Sequence, residues 1–238
     1  MAISVIGVNH RTAPVEVRER VSLPGDLGLQ LLEAIRAERV FDEAMVLDTC
    51  NRTEVYFVAA HAEDPLDHLL AHIAALKGAS PPADTSVFYR HDGSAAVAHL
   101  FSVAASLDSQ IVGEDEILGQ VKKAYRLALQ ARTARFLLGR LLHRAFRVGK
   151  RVRTETELGR GASSVAQAAG ELARQIFSTL ANRKVLLVGA GENAELAART
   201  LIRGGCGGLI VANRTPARAR QLAEELDEQA AAYSQAAQ

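Results

Sequence analysis

The sequence predicts an α/β chain in two parts, an α+β unit with a helical extension and then the opening of a parallel sheet. Three observations lead there. Up to Asp92, short apolar runs and segments of helical spacing alternate in the order βαββαβ. From Asp92 to Gly159 the pattern is almost wholly helical. Beyond Leu180, two apolar runs, Val185-Leu186-Leu187-Val188 and Leu209-Ile210-Val211-Ala212, are each followed by a helical segment, as in buried strands that pair in parallel.

The chain has 238 residues, 48% of them hydrophobic, enough for a substantial core in one or two domains. Its net charge of +1 excludes a polycation, so any nucleic-acid contact must use a local patch. Two cysteines in unrelated contexts, Cys50 and Cys206, make no disulfide framework, and a reducing, cytoplasmic compartment is expected. The seven histidines show no Cys/His ligand spacing, so no metal site is expected. The N-terminus lacks the charged region of a signal peptide. No apolar run approaches the roughly 20 residues of a membrane span.

Taken in order, Ile3 to Asn9 reads as the first strand, broken by Asn9-His10-Arg11-Thr12-Ala13-Pro14. Leu23-Pro24-Gly25-Asp26 opens a helix with Leu27, Leu31, Leu32 and Ile35 at helical spacing. Ala44-Met45-Val46-Leu47 and Val55-Tyr56-Phe57-Val58 form a hairpin. Asp64-Pro65 starts a second helix through Leu69, Leu70, Ile73 and Leu76, which stops at Gly78 before Pro81-Pro82. Val87-Phe88-Tyr89-Arg90 is a short fourth strand. The order suggests a ferredoxin-like split βαβ sheet, a motif that hosts many functions and settles none.

Between the hairpin runs stands Asp48-Thr49-Cys50-Asn51-Arg52, polar and turn-compatible, which puts Cys50 near an accessible tip. A lone cysteine is more often a small buried hydrophobe. Here the polar setting argues the other way, and Arg52 is a cation of the kind that favours the nucleophilic thiolate. The run Leu47-Asp-Thr-Cys-Asn-Arg-Thr-Glu-Val-Tyr56 resembles the nucleophile motif of the glutamyl-tRNA reductases, which open the five-carbon route to tetrapyrroles.

That resemblance implies a mechanism. Cys50 attacks the ester joining glutamate to tRNA(Glu), a thioester forms, tRNA leaves, and NADPH reduces the thioester to glutamate-1-semialdehyde. A thiolate suits the first step, and donors near Asn51 and Arg52 suit the developing oxyanion. Thr49 and Arg52 are implied to position substrate. So is a role in activity for His99, beside the apolar face of Val97, Leu100, Phe101 and Ala104. On its own, such a histidine reads as a packed or surface residue.

Ser106 to Glu116 reads as turn and cap residues, with Gly113 as the bend. Ile117, Val121, Tyr125 and Ala128 then make an apolar stripe. Acids at the start of that helix are explained by its macrodipole alone. The segment also resembles the family's Gly-Glu-x-x-Ile-x-x-Gln signature at Gly113, Glu114, Ile117 and Gln120. The resemblance implies that Ser109, Glu114, Asp115, Glu116 and Gln120 hold the glutamyl group or the tRNA acceptor end. A long basic helix follows, with Leu138, Leu141, Ala145, Val148 and Val152 on one seam and Arg140, Arg144, Arg147 and Arg151 opposite. A solvated charged face is the simpler reading, and phosphate contact with tRNA the sharper one.

Gly159-Arg160-Gly161-Ala162 marks a break, and Ser163-Ser164-Val165-Ala166 begins a new helix. Gly189-Ala190-Gly191-Glu192-Asn193-Ala194 is a Gly-x-Gly-x-x-Ala turn between a strand and a helix. Gly189 permits the turn, Gly191 the approach of a pyrophosphate, and small Ala194 the helix packing. The helix N-terminus faces the anion. After the next strand come Asn213, Arg214 and Thr215 in place of an acid. Arg214 can neutralise a 2′-phosphate, so NADPH is favoured over NADH. The expected domains are residues 1–160, catalytic and glutamyl-tRNA-binding, and residues 161–238, the start of a Rossmann-type NADPH-binding domain. The family's C-terminal dimerisation domain is expected to be absent.

The resemblance also implies a homodimer in the full-length form and transfer of the aldehyde to glutamate-1-semialdehyde aminomutase. Two other functions fit parts of the chain. One is an NADP-dependent dehydrogenase of a small metabolite, which would not need Cys50. The other is a tRNA- or partner-binding module without redox turnover.

Overall fold

The computed structural model describes residues 2–59, 64–159 and 165–236. The chain divides into two compact units, Met1–Gly159 and Arg160–Gln238.

The first unit opens with β1 (Ala2–Asn9), α1 (Val15–Val21), α2 (Leu27–Glu38), β2 (Glu43–Asp48), β3 (Arg52–Ala59), α3 (Pro65–Lys77) and β4 (Tyr89–Asp92). The four strands form an antiparallel sheet in the order β2-β3-β1-β4, the ferredoxin-like arrangement expected. Helix α1 fills the stretch between the first break and α2; Val17 and Val21 pack on Val8 and Leu70. Gly78 ends α3 in the left-handed conformation, φ +59°, which glycine adopts without steric cost.

The last strand begins at Tyr89 rather than Val87. Val87 and Phe88 are taken up by the α1–α3 cluster, and pairing of Ser4 with Asp92 and Gly7 with Tyr89 sets the register. A short apolar run does not fix where pairing starts.

Alternation along the central strands creates two unlike faces. Val46, Val55 and Ile6 lie in register on one face, against α2 and α3. Leu47, Glu54 and Gly7 share the other. That second face is covered by the helical extension, α4 (Ser94–Ala104), α5 (Glu116–Gln130) and α6 (Phe136–Glu155). One continuous core joins Leu31, Met45 and Phe57 to Leu100, Val121 and Leu142. Helices α4 and α6 approach closely at Gly149, where a Cβ would stand 2.5 Å from the Ala104 carbonyl oxygen. On α6 the seam at Leu138, Leu141 and Ala145 is buried, while Arg140, Arg144, Arg147 and Arg151 are exposed.

Buried Glu43 anchors the start of α6. Its carboxylate accepts the backbone N–H groups of Arg135, Leu137 and Leu138, each at 2.9 Å. It therefore satisfies donors that a helix start leaves open, and its charge suits the positive end of the dipole.

The second unit contains α7 (Val165–Phe177), β5 (Lys184–Val188), α8 (Glu192–Arg203), β6 (Gly208–Ala212) and α9 (Pro216–Ala236). Strands β5 and β6 pair in parallel from Lys184 with Gly208 to Val188 with Ala212, a Rossmann-like start. Leu187, Ala198, Leu222 and Leu226 form its core. The other face of the strands is open: Leu186 is 62% and Val188 80% exposed, where the apolar run suggested burial on both sides. The break predicted at residues 160–162 and the first helical residues after it lie outside the described residues. Among the described residues no helix is long and apolar enough to cross a membrane.

Candidate active site

The turn from β2 to β3 is three residues, Thr49, Cys50 and Asn51, and Cys50 is exposed on it. Local bonds shape the turn. The Thr49 N–H donates to the Arg52 carbonyl at 2.8 Å. The Thr49 hydroxyl accepts the N–H groups of Asn51 at 3.2 Å and Arg52 at 3.1 Å. From outside, the His10 N–H donates to the Asn51 carbonyl at 2.9 Å, and Arg18 Nη1 donates to the Cys50 carbonyl at 2.6 Å. Below it, Asp48 accepts the Thr53 hydroxyl at 2.6 Å and the Leu23 N–H at 3.0 Å. Burial pushes the Asp48 carboxyl up, against those two bonds.

Arg52 turns away from the solvent. Its side chain is 2% exposed and its guanidinium is clamped. Nη1 donates to Glu54 Oε1 at 2.6 Å, and both Nη atoms reach Asp108 Oδ2 at 3.2 Å. Nη2 also donates to the Asp108 carbonyl. Arg11 pairs with the other Asp108 oxygen at 2.9 Å. Arg52 thus ties the loop after α4 to the sheet.

Glu54 is fully buried and collects four donors: Arg52, the Tyr56 hydroxyl at 2.6 Å, the Tyr89 hydroxyl, and His99 Nε2 at 2.8 Å. Burial opposes its charge, but the His99 hydrogen bond and the Arg52 charge outweigh it and hold the carboxyl at about 2, against an ordinary 4.5. Burial and the Glu54 charge push both phenols up, so Tyr56 and Tyr89 remain donors. An ionised carboxylate only accepts, so His99 donates to it through Nε2. The His99 ring packs against Tyr89 at 5.4 Å and His91 at 5.0 Å.

Gly7 makes room for this network. A Cβ there would lie 2.7 Å from Glu54 Cγ and 2.7 Å from the Thr53 carbonyl oxygen. His10, beside the Cys50 turn, has a buried Nδ1 with no hydrogen-bond partner among the described residues. Burial, then the charges of Arg11 and Arg52, lower its basicity.

Glu54 links Arg52, which closes the turn of Thr49, Cys50 and Asn51, to His99. Ser109 adjoins through its neighbour Asp108, and its hydroxyl accepts from Ser106 at 3.2 Å. Glu114 and Asp115 turn to α6: Arg153 donates to the Glu114 carbonyl at 2.6 Å and pairs with Asp115 at 3.2 Å. Glu116 is exposed and Gln120 half-buried on α5. Glu54, Tyr89, Asp108 and His10 were given no role by sequence reasoning. The signal for Glu54 was there: Arg52, Glu54 and Tyr56 share one strand face at period two.

In the second unit, Gly189 adopts φ +113° and its N–H donates to the Ala212 carbonyl at 2.7 Å. Gly191 caps α8, whose first turn holds Glu192, Asn193 and Ala194. Among the described residues a Cβ at either glycine would meet nothing within 4 Å, which leaves room for an anion before the helix N-terminus. Ala190 and Ala194 pack toward the core. After β6, Asn213 donates to the Thr215 carbonyl at 3.2 Å and Arg214 is exposed. The turn fits a dinucleotide pyrophosphate.

Residues 6–156 match the family model "Glutamyl-tRNAGlu reductase, N-terminal domain". The chain belongs to the glutamyl-tRNA reductase family. Residues 171–238 match the model "Shikimate / quinate 5-dehydrogenase". Glutamyl-tRNA reductases of Chlorobium phaeovibrioides and Geobacter metallireducens are 45% and 44% identical to it over 95% of its length. The solved glutamyl-tRNA reductase of Methanopyrus kandleri matches 94% of this chain and 52% of its own, with a TM-score of 0.62 and 36% identity. The chain spans about half the length of the curated glutamyl-tRNA reductases it matches, 53% and 52% of the two named.

Proposed function

We propose that the chain carries the thioester-forming half of a glutamyl-tRNA reductase, with Cys50 as nucleophile. The observation that supports this best is the exposed Cys50 on a turn held from three sides by Thr49, His10 and Arg18. The Cys50 sulfur attacks the ester carbonyl of glutamyl-tRNA(Glu). The C–S bond forms, the C–O bond to the ribose breaks, and the ribose oxygen leaves with a proton. Thr49 and Asn51 line the attack, and Arg52, clamped by Glu54 and Asp108, fixes the strand end below it. His99, oriented by Glu54, serves the reaction beside them. Ser109, Glu114, Asp115, Glu116 and Gln120 are assigned to the glutamyl group and the acceptor end of the tRNA.

Gly189, Ala190, Gly191, Glu192, Asn193 and Ala194, with Asn213, Arg214 and Thr215 at the 2′-phosphate, would hold NADPH, which would supply the hydride that replaces Cys50 at the thioester carbonyl, freeing the thiolate and glutamate-1-semialdehyde. The domain roles follow: residues 1–160 catalysis, residues 161–238 the cofactor. A homodimer of the whole protein, delivery of the aldehyde to glutamate-1-semialdehyde aminomutase, and a cytoplasmic location belong to the same reading. The exposed arginines of α6 favour a second reading, a tRNA-binding module without turnover.

Covalent glutamate transfer separates the two. The protein is mixed with glutamyl-tRNA without NADPH and weighed intact, with Cys50→Ser as control. A hydroxylamine-sensitive glutamyl adduct on the wild type alone is expected. No adduct, with tRNA still bound, would leave the binding module.

A further inference from the structure

We propose that Glu38, His68 and His72 form a binding site for a divalent transition-metal ion of the zinc class, joining the end of α2 to α3. His68 and His72 are one helical turn apart on α3, so their rings share a face; the ring centroids are 5.0 Å apart. Glu38 is the last residue of α2. Its Oε2 lies 2.9 Å from His68 Nε2 and 3.1 Å from His72 Nε2. All three ligand atoms fall within 4.8 Å of one another.

Two imidazoles and one carboxylate are a donor set for zinc. It is not one for magnesium or calcium, which take mainly oxygen. Tetrahedral ligands at ~2 Å from zinc stand ~3.3 Å apart; Glu38 is within a few tenths of an ångström of that from each imidazole, and the two imidazole nitrogens, within 4.8 Å of each other, close on the ion by side-chain rotation. The backbones are already placed, because Leu31, Leu32 and Ile35 of α2 and Leu69 and Ile73 of α3 share one core. A carboxylate at the negative end of a helix dipole is also unfavourable unless a positive charge lies beside it. The rings are partly exposed, 34% and 18%, so a fourth position is open to water.

Spacing along the chain hides this site, since Glu38 arrives from another helix and no cysteine takes part. Because α2 leads into the start of β2, the site sits at the opposite end of that strand from the Cys50 turn. The ion therefore braces the fold rather than joining the chemistry.

The test is calorimetric titration of zinc chloride into tag-free protein, alongside Glu38→Gln, His68→Ala, His72→Ala and Cys50→Ser. Cys50 is included because its thiolate is a rival zinc ligand. One zinc per chain is expected in the wild type and in Cys50→Ser. Loss of an outer-shell partner alone costs about 10–100-fold in metal affinity, so each ligand variant should lose at least that. Zinc should also raise the melting temperature of the wild type and not of His72→Ala, whose metal-free melt and circular dichroism report its folding. Zinc binding abolished by Cys50→Ser and kept by the histidine variants would overturn the proposal. So would no binding at all, or equal displacement by excess magnesium.

Discussion

Glu54 shows how much one side chain organises. It is a buried carboxylate whose two oxygens serve a guanidinium, two phenols and an imidazole. Removing one partner of such a pair leaves an uncompensated buried charge, which costs about 3–5 kcal/mol. Glu54→Gln should therefore lower stability on that order in denaturant melts. The pH dependence has a definite sign. The folded carboxyl sits at about 2, below its ordinary 4.5, so its contribution is present above 4.5 and fades as pH falls toward 2. Acid unfolding of Glu54→Gln should be correspondingly flatter in that window. Sequence reading reached Cys50, Arg52 and His99 without the carboxylate between them. Motif and local polarity mark Cys50 and Arg52, and the family resemblance alone marks His99, whereas Glu54 gains its meaning only when β1, β4 and α4 close over it.

At the scale of elements, the hairpin and the long helices could be read from period and punctuation. The start of β4 could not, because register depends on the partner strand. Nor could the tie between Glu43 and α6, which joins residues far apart in sequence. Glu43→Ala removes an anionic cap from three backbone donors. Caps contribute typically ~1 kcal/mol, with a range of about 0.5–2, and Glu43→Ala should lose about that in thermal melts. Amides of Leu137 and Leu138 should exchange faster with deuterium while those in the middle of α6 do not. The Gly-x-Gly turn was legible for a related reason: a strand, a left-handed glycine and a helix N-terminus follow one another directly in the chain.

The whole molecule has unequal halves. The first unit buries both faces of its sheet, and the second leaves Leu186, Val188 and Ile210 at 62%, 80% and 53% exposure. Local stability follows burial. Amides of β5 and β6 should exchange well before those of β1 and β3 in native-state hydrogen exchange, and thermal unfolding should show the second unit melting first. A single transition with uniform protection would refute this ordering. The parallel pairing of β5 with β6 was predictable from sequence. Their one-sided burial was not, since an apolar run does not say how many layers cover it.

Gly7 has a consequence for how the chain can vary over generations. The volume its missing side chain would fill is taken both by the Glu54 side chain and by the backbone carbonyl of Thr53, so no change of side chain at 54 frees it. A codon library randomised at position 7 alone should return glycine after selection for folded protein. Joint randomisation of 7 and 54 should still return glycine at 7, because the Thr53 carbonyl oxygen stands 2.7 Å from any added Cβ whatever residue occupies 54. Survivors that vary only at 54 would keep the glycine and lack the carboxylate, showing that architecture and chemistry at this site are separable traits.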